Sequence, residues 1–204
     1  MKIKICGLAQ VENANQIAAL QPDFVGCIFT PKSKRYISIS KAKLINHPQK
    51  IGVFVNQPLS EIANAVTQCA LYGVQLHGNE SPDFCMTVKN QFPQVQIIKV
   101  ISVQTLSDFD CLKDYENNVD YFLFDTKGNQ AGGNGTPFNW ELLNLININK
   151  PYFLAGGVSA ETLKNIEKLK IKPFAIDANS KLEDGIGIKN SIQTKKIIQH
   201  VQSI

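Results

Sequence analysis

The chain has 204 residues, of which 44% are hydrophobic, and its formal net charge is +4. This length suits one domain with a sizeable core and is too short for two ordinary domains. The charged residues form no concentrated basic block, so the composition argues against a nucleic-acid-binding protein. A mild positive charge instead suits a small anionic substrate.

The N-terminal segment and the cysteines favour a cytoplasmic location without a metal site. The opening MKIKICGL lacks the apolar core and cleavage site of a signal peptide, and no apolar run reaches the length of a membrane span. The five cysteines are irregularly spaced and form no CxxC pair, which disfavours a disulfide framework or a zinc cluster. The three histidines lie far apart, and we expect no bound metal.

Eight short, nearly continuous apolar runs predict β-strands that are buried on both faces, as in a parallel sheet. In chain order the predicted strands are Lys2–Cys6, Phe24–Phe29, Ile51–Val55, Gly73–Leu76, Gln96–Ile101, Tyr121–Asp125, Tyr152–Ala155 and Phe174–Asp177.

Amphipathic stretches between these runs predict helices. They are Glu12–Leu20, Leu59–Leu71, a helix from Pro82 to Phe92 capped by Ser81, Ala160–Leu169 capped by Ser159, and Ile188–Val201. Repeated alternation of strand and helix predicts an α/β fold, a (β/α)8 TIM barrel, with residues 1–204 as one catalytic domain. An open doubly wound sheet is the alternative. Its frequent GxGxxG turn is not seen in Cys6-Gly7-Leu8-Ala9 after the first strand.

The active site of a TIM barrel lies at the C-terminal ends of the strands. Cys6 ends the first predicted strand and Asp125 the sixth. Most free cysteines are small buried hydrophobic residues, but a rim thiol can be deprotonated near a cation. Asp125 suits either a turn or a catalytic carboxylic acid. Position alone leaves both choices open.

Other polar or flexible residues end further strands or lie in the loops that follow them. Arg35, the only arginine, belongs either to a solvated basic loop or to a fork that binds a substrate carboxylate. His77 ends the fourth strand, and a lone histidine at such a position is more often structural than functional. Gly156 and Gly157 form either an ordinary turn or, with a helix N-terminus behind them, half of a phosphate site. Asn179 and Ser180 after the eighth strand would supply the other half.

The ordered set of short motifs resembles the phosphoribosylanthranilate isomerase family over nearly the whole chain. The motifs are Lys4-Ile5-Cys6-Gly7-Leu8, Pro31-Lys32-Ser33-Lys34-Arg35-Tyr36, Gly52-Val53-Phe54-Val55-Asn56, Val74-Gln75-Leu76-His77-Gly78, Asp125-Thr126, Gly132-Gly133-Asn134-Gly135, Phe138-Asn139-Trp140, Ala155-Gly156-Gly157 and Asp177-Ala178-Asn179-Ser180.

The resemblance implies an Amadori rearrangement of N-(5-phosphoribosyl)anthranilate in tryptophan biosynthesis, without a cofactor. By family analogy Asp125 is the general acid and Cys6 the general base. Arg35 would bind the anthranilate carboxylate and His77 would contact the substrate. Gly156, Gly157, Asn179 and Ser180 would hold the phosphate, and the segment Thr126–Thr136 would close over the site. The partner is thus a small phosphosugar, with neither nucleic acid nor membrane, and the oligomeric state stays open.

Some positions depart from the usual family pattern. They are Thr136, Asn139, Lys181, Ile186 and Asn190, where Lys, Asp, Gly, Pro and Asp are common. Lys181 leaves open which backbone N–H groups face the phosphate, and it could place an ammonium there. The competing interpretations are another phosphosugar enzyme, such as a histidine-pathway isomerase or indole-glycerol-phosphate synthase, and a barrel that binds a phosphorylated ligand without catalysis.

Overall fold

A computed structural model describes residues 1–128 and 138–204. Within these ranges eight parallel strands pair in chain order, and the eighth pairs with the first, so the sheet is a closed barrel. The strands are β1 Lys2–Cys6, β2 Phe24–Ile28, β3 Lys50–Phe54, β4 Gly73–Leu76, β5 Gln96–Val103, β6 Tyr121–Thr126, β7 Tyr152–Leu154 and β8 Ala175–Ala178. The predicted TIM barrel is confirmed, and the predicted strand ends differ by two residues or fewer.

Helices of unequal length connect the strands on the outside of the barrel. The α-helices are α1 Val11–Ala18, α2 Ile39–Ala42, α3 Leu59–Cys69, α4 Pro82–Gln91, α5 Leu112–Tyr115, α6 Ala160–Leu163 and α7 Ser191–Ser203. Short 3₁₀ turns cover Leu106–Phe109, Trp140–Leu145, Lys164–Lys168 and Ser180–Leu182. No helix in the described part of the chain is both long and apolar enough to cross a membrane.

Two predicted helices differ from the structure by more than two residues at one end, and the other predicted helix ends lie within two residues of those observed. The helix expected over Ala160–Leu169 is one α-helical turn followed by the 3₁₀ segment, although Ser159 caps it as predicted through the Thr162 N–H at 3.3 Å. The helix expected from Ile188 begins at Ser191, after the Asn190 cap.

Residues Ile188–Lys189 instead form β10, which pairs antiparallel with β9, Glu183–Gly185. A backbone conformation and a side-chain contact explain why these residues form a strand and not a helix. Gly187 has a φ of +77°, which lets the chain reverse, and the Asn13 side chain binds both the N–H and the carbonyl of Lys189.

The barrel interior is apolar at its N-terminal end and polar at the opposite end. Aromatic side chains near the strand starts pack together, with Phe24 and Phe153 at 5.5 Å between ring centroids. Toward the strand ends the interior holds buried Lys4, Gln75 and Asp177. The apolar layer therefore supports a polar layer directly beneath the site.

Candidate active site

A cavity of about 400 Å³ opens at the C-terminal ends of the barrel strands. All eight residues singled out from the sequence line it, namely Cys6, Arg35, His77, Asp125, Gly156, Gly157, Asn179 and Ser180. Because parallel strands end at the same rim, residues distant in the chain meet there. The structure thus gives these residues a common site, and their individual roles stay predictions.

Cys6 lies in the cavity wall with a buried side chain, and an ammonium group is its neighbour. Lys4 is two residues earlier on β1, so both side chains point to the barrel interior. Lys4 Nζ lies 3.3 Å from Cys6 Sγ, 2.6 Å from Gln75 Oε1 and 2.9 Å from Asp177 Oδ2. Burial raises the pKa of the Cys6 thiol, and the Lys4 charge opposes that rise.

Two glycines make room around the end of β1. A β-carbon at position 26 would lie 2.6 Å from Cys6 Sγ, so the thiol occupies the space that a side chain on β2 would fill. Gly7 has a φ of +75°, and a β-carbon there would lie 2.6 Å from Asn179 Oδ1 and 2.7 Å from Arg35 Cδ. Arg35 and Asn179 can therefore approach the strand end closely.

Asp125, at the end of β6, is a buried carboxyl that accepts a hydrogen bond from the Thr126 N–H at 2.8 Å. Burial raises its pKa from 3.8 to about 6. His77 Nε2 lies 3.7 Å from Asp125 Oδ2. Burial and the nearby Lys4 and Lys99 charges lower the pKa of His77 to about 3, so its imidazole is neutral and leaves the carboxyl charge uncompensated. A carboxyl in this environment holds its proton near neutral pH better than an ordinary Asp.

Arg35 is held at the cavity by a carboxylate that the sequence analysis missed. Its Nε and Nη2 donate to the two oxygens of Glu183 at 2.7 and 2.8 Å. Glu183 also accepts from Lys189 Nζ at 2.7 Å, and Lys189 binds Asn179 Oδ1 at 2.6 Å. The Nη1 group of the guanidinium makes no hydrogen bond to the described residues, so it can donate hydrogen bonds to a ligand.

The glycine turn after β7 forms the opposite part of the cavity wall. Gly156 and Gly157 have φ values of +86° and +66°, and a β-carbon at Gly156 would collide with Thr126 Oγ1. These conformations require glycine and bring backbone close to the cavity. The expected helix N-terminus behind the turn is only the short α6, so its dipole adds little. Lys181 is exposed and lines the same cavity.

The sequence analysis did not assign roles to Lys4, Gln75, Glu183 or Lys189. The alternation of side chains could have indicated Lys4, because a lysine inside the apolar run KIKIC shares the face of Cys6. Gln75 and Asp177 likewise interrupt apolar strands. Glu183 and Lys189 carry no comparable local signal, since Glu183 pairs with the distant Arg35 and the backbone of Lys189 is bound by the distant Asn13. The predicted lid, Thr126–Thr136, falls largely on residues 129–137, which lie outside the described residues.

The comparison with family models decides the identity of the chain. Residues 3–200 match the model for N-(5'-phosphoribosyl)anthranilate (PRA) isomerase. The chain belongs to this family. The enzyme of Nostoc punctiforme is 36% identical over 100% of this chain and 99% of that protein. The enzyme of Parabacteroides distasonis is 34% identical over 98% of this chain and 93% of that protein. The prediction of an isomerase of tryptophan biosynthesis is thereby confirmed.

Solved structures of the family share the barrel. The isomerase of Thermotoga maritima is 30% identical, covers 100% of both chains and has a TM-score of 0.88. Another phosphoribosyl anthranilate isomerase, 28% identical with a TM-score of 0.83 and 100% coverage of both chains, was solved in complex with reduced 1-(o-carboxyphenylamino)-1-deoxyribulose 5-phosphate. That ligand combines a carboxylate and a phosphate at its two ends.

Proposed function

We propose that this isomerase converts N-(5'-phosphoribosyl)anthranilate to 1-(2-carboxyphenylamino)-1-deoxyribulose 5-phosphate with Asp125 as general acid and Cys6 as general base. The observation that carries the proposal is their meeting in one cavity: a thiol on β1 and a carboxyl on β6 whose pKa is raised to about 6. The relative solved with a reduced product analogue supports the ligand class. The unit of function would be residues 1–204 as one domain.

The acid step requires a protonated carboxyl near neutral pH. Asp125 would donate its proton to the furanose ring oxygen, the C1–O bond would break, and the ring would open to a Schiff base. Burial favours the neutral carboxyl, and the neutral His77 beside it adds no charge that would favour the carboxylate. The cavity thus keeps a larger fraction of Asp125 protonated near neutral pH than an ordinary Asp would have, which supports its proposed role as the acid.

The base step requires the Cys6 thiolate. Its sulfur would take the proton from C2 of the Schiff base and become a thiol, and the electron pair would move into the enolamine. Tautomerisation of the enolamine then gives the ketone. The reaction transfers protons alone, so the proposed sequence uses no redox cofactor.

The two ends of the substrate would bind on different parts of the cavity wall. Arg35, oriented by Glu183, would bind the anthranilate carboxylate through its free N–H groups. Gly156, Gly157, Asn179 and Ser180 would hold the phosphate, and His77 would contact the sugar. The five free cysteines agree with a reducing cytoplasm, which stays part of this proposal.

The test is a fluorescence assay of phosphoribosylanthranilate consumption by wild type, Cys6→Ser and Asp125→Asn. We expect both variants to lose activity by ~10²-fold or more, because each removes one proton-transfer group. Circular dichroism checks that they fold. Cys111→Ser and Asp110→Asn are matched controls, since neither residue lines the cavity.

Two outcomes would contradict the proposal. Wild-type turnover by either site variant would remove that residue from its role. A wild-type protein that binds the substrate without consuming it would instead show a phosphosugar-binding barrel.

A further inference from the structure

Lys4 is an ammonium group enclosed at the centre of the barrel, where it is 0% exposed. An ammonium has three N–H donors, and Lys4 Nζ faces one acceptor for each: Gln75 Oε1, Asp177 Oδ2 and Cys6 Sγ. Burial alone would lower the pKa of Lys4, but the Asp177 carboxylate and the Cys6 sulfur raise it above its usual value. Lys4 therefore stays charged, with one N–H directed at the sulfur.

A neutral thiol is a weak hydrogen-bond acceptor, whereas a thiolate is a strong one and is stabilised by an adjacent cation. The contact of 3.3 Å between Nζ and Sγ is thus most favourable when Cys6 has lost its proton. That proton can leave to solvent through the cavity, which Cys6 lines.

The charges around Cys6 come from several elements. Among the described residues, several titratable groups face the sulfur or bind a group that faces it. They are Lys4 on β1, Arg35 after β2, Asp177 on β8, Glu183 on β9 and Lys189 on β10, with the Cys27 thiol on β2. Three of these groups are cations and two are carboxylates. A negative charge on the Cys6 sulfur would therefore balance the charges of these described groups. The charges of this cluster therefore oppose the effect of burial, which raises the pKa of the Cys6 thiol.

We infer that Lys4 is a positioning residue that holds the Cys6 sulfur at the cavity and stabilises its thiolate. This inference rests on the proposed function, because a thiolate is the form in which Cys6 would remove the C2 proton. Lys4 itself does not need to contact the substrate. Its effect should therefore fall on turnover more than on the Michaelis constant.

The test follows alkylation of Cys6 by iodoacetamide as a function of pH, in the substrate-free protein, with the modified residue identified by mass spectrometry. In Lys4→Met we expect alkylation at neutral pH to fall about tenfold, equivalent to an upward shift of about one pKa unit. Lys50→Met is the matched control. Lys50 is also buried, but its Nζ donates to the Ile45 carbonyl at 3.2 Å, and we expect the wild-type profile. A folded Lys4→Met protein with the wild-type alkylation profile would overturn the inference.

A second variant keeps the test decisive if Lys4→Met does not fold. Asp177→Asn removes the carboxylate that lies 2.9 Å from Lys4 Nζ and raises the pKa of Cys6 by its charge. The whole Lys4 charge then acts on the sulfur, so we expect alkylation at neutral pH to increase several-fold. An unchanged or slower reaction would reject the role of Lys4, because an ammonium released from Asp177 should stabilise the thiolate more strongly.

The alkylation assay needs no turnover, which separates this inference from the proposed function. If Lys4→Met slows alkylation and Cys6→Ser remains active, the thiolate pairing stands and the assignment of the base fails. If Cys6→Ser is inactive and Lys4→Met is alkylated like wild type, the base assignment stands and the role of Lys4 fails. If the base assignment and the role of Lys4 are both correct, the kcat of Lys4→Met falls while its KM changes little.

Discussion

At the scale of single residues, the position of Cys6 depends on what is missing from its neighbour on β2. Gly26 carries no side chain, and the sulfur fills that space. Gly26 does not have a positive φ, so its requirement for glycine is one of space and not of backbone conformation. A residue without functional groups thus controls where the proposed base lies.

We predict that Gly26→Ala lowers kcat by ~10-fold or more, because a new β-carbon 2.6 Å from Cys6 Sγ displaces the sulfur. Steady-state kinetics would show this, and urea unfolding should show a destabilisation of about 1–3 kcal/mol. Gly185→Ala is the control, since its β-carbon would meet Ile188 Cδ1 at 3.9 Å, an ordinary van der Waals distance. Equal activity of the two variants would rule out the steric argument.

The buried environment that suits Asp125 to acid catalysis also lowers the stability of the folded protein once the carboxyl is ionised. Its pKa is raised in the folded protein to about 6, so the folded state binds the proton more tightly than the unfolded state between pH 4 and 6. The stability associated with this group is present below pH 4 and is lost as the pH rises through 6. Above that pH the folded chain holds a buried carboxylate.

We therefore predict that Asp125→Asn gains stability relative to wild type at pH 8 and much less at pH 4. The gain would be on the order of 2 kcal/mol, and Asn can still accept the Thr126 N–H. Urea unfolding at the two pH values measures it, with the exposed Asp110→Asn as control. The argument fails if the difference between Asp125→Asn and wild type is the same at both pH values.

At the scale of elements, the β9–β10 hairpin follows the last barrel strand and binds the loop that carries Arg35 through side-chain hydrogen bonds. Glu183 on β9 binds Arg35 through two hydrogen bonds and Lys189 on β10 through one. Hydrogen bonds from these cations lower the pKa of Glu183 against the opposing effect of burial. The hairpin thereby keeps the carboxylate charged and the guanidinium oriented.

Glu183→Gln should destabilise the protein by about 3 kcal/mol, because it leaves the fully enclosed Lys189 ammonium without a counter-charge. It should also raise KM more than it lowers kcat, because Arg35 loses its orientation. Denaturant unfolding and steady-state kinetics test the two parts. The neighbouring exposed carboxylate offers a control, Asp184→Asn. An unchanged KM would show that Glu183 does not orient Arg35 for the substrate.

At the scale of the whole molecule, the barrel closes by pairing its first and last strands. β1 and β8 are parallel neighbours, with Lys4 opposite Asp177 in register. Helix α7 follows β8 and buries Thr194, Ile197, Ile198 and Val201. Closure thus requires both ends of the described chain, and the charged centre of the site lies on the closing pair.

Removal of residues 191–204 should abolish cooperative unfolding, since the closing strands lose the apolar cover of α7. Circular dichroism during thermal unfolding would report the loss, and size-exclusion chromatography would detect an expanded chain. Deletion of Ile204 alone is the control because this residue is exposed. A truncated chain with a sharp wild-type transition would show that the barrel closes without α7.

The amino-acid sequence by itself determined the barrel, the order of its strands and the rim where they end. Apolar runs of strand length and turn residues between them are local signals, which is why eight strands could be placed within two residues of their observed ends. The same local reasoning placed Cys6, Asp125 and the glycine turn at the rim. It failed at Ile188, where contacts with Asn13 select a strand over a helix.

Tertiary structure alone decided which groups touch. The contact of Lys4 with Asp177, and that of Glu183 with Arg35, joins residues that are far apart in the chain and meet only after the barrel closes. The raised pKa of Asp125 likewise arises from burial, which no short stretch of sequence specifies. Spacing along a strand can predict which way a side chain points, but partners across a barrel follow from its closure.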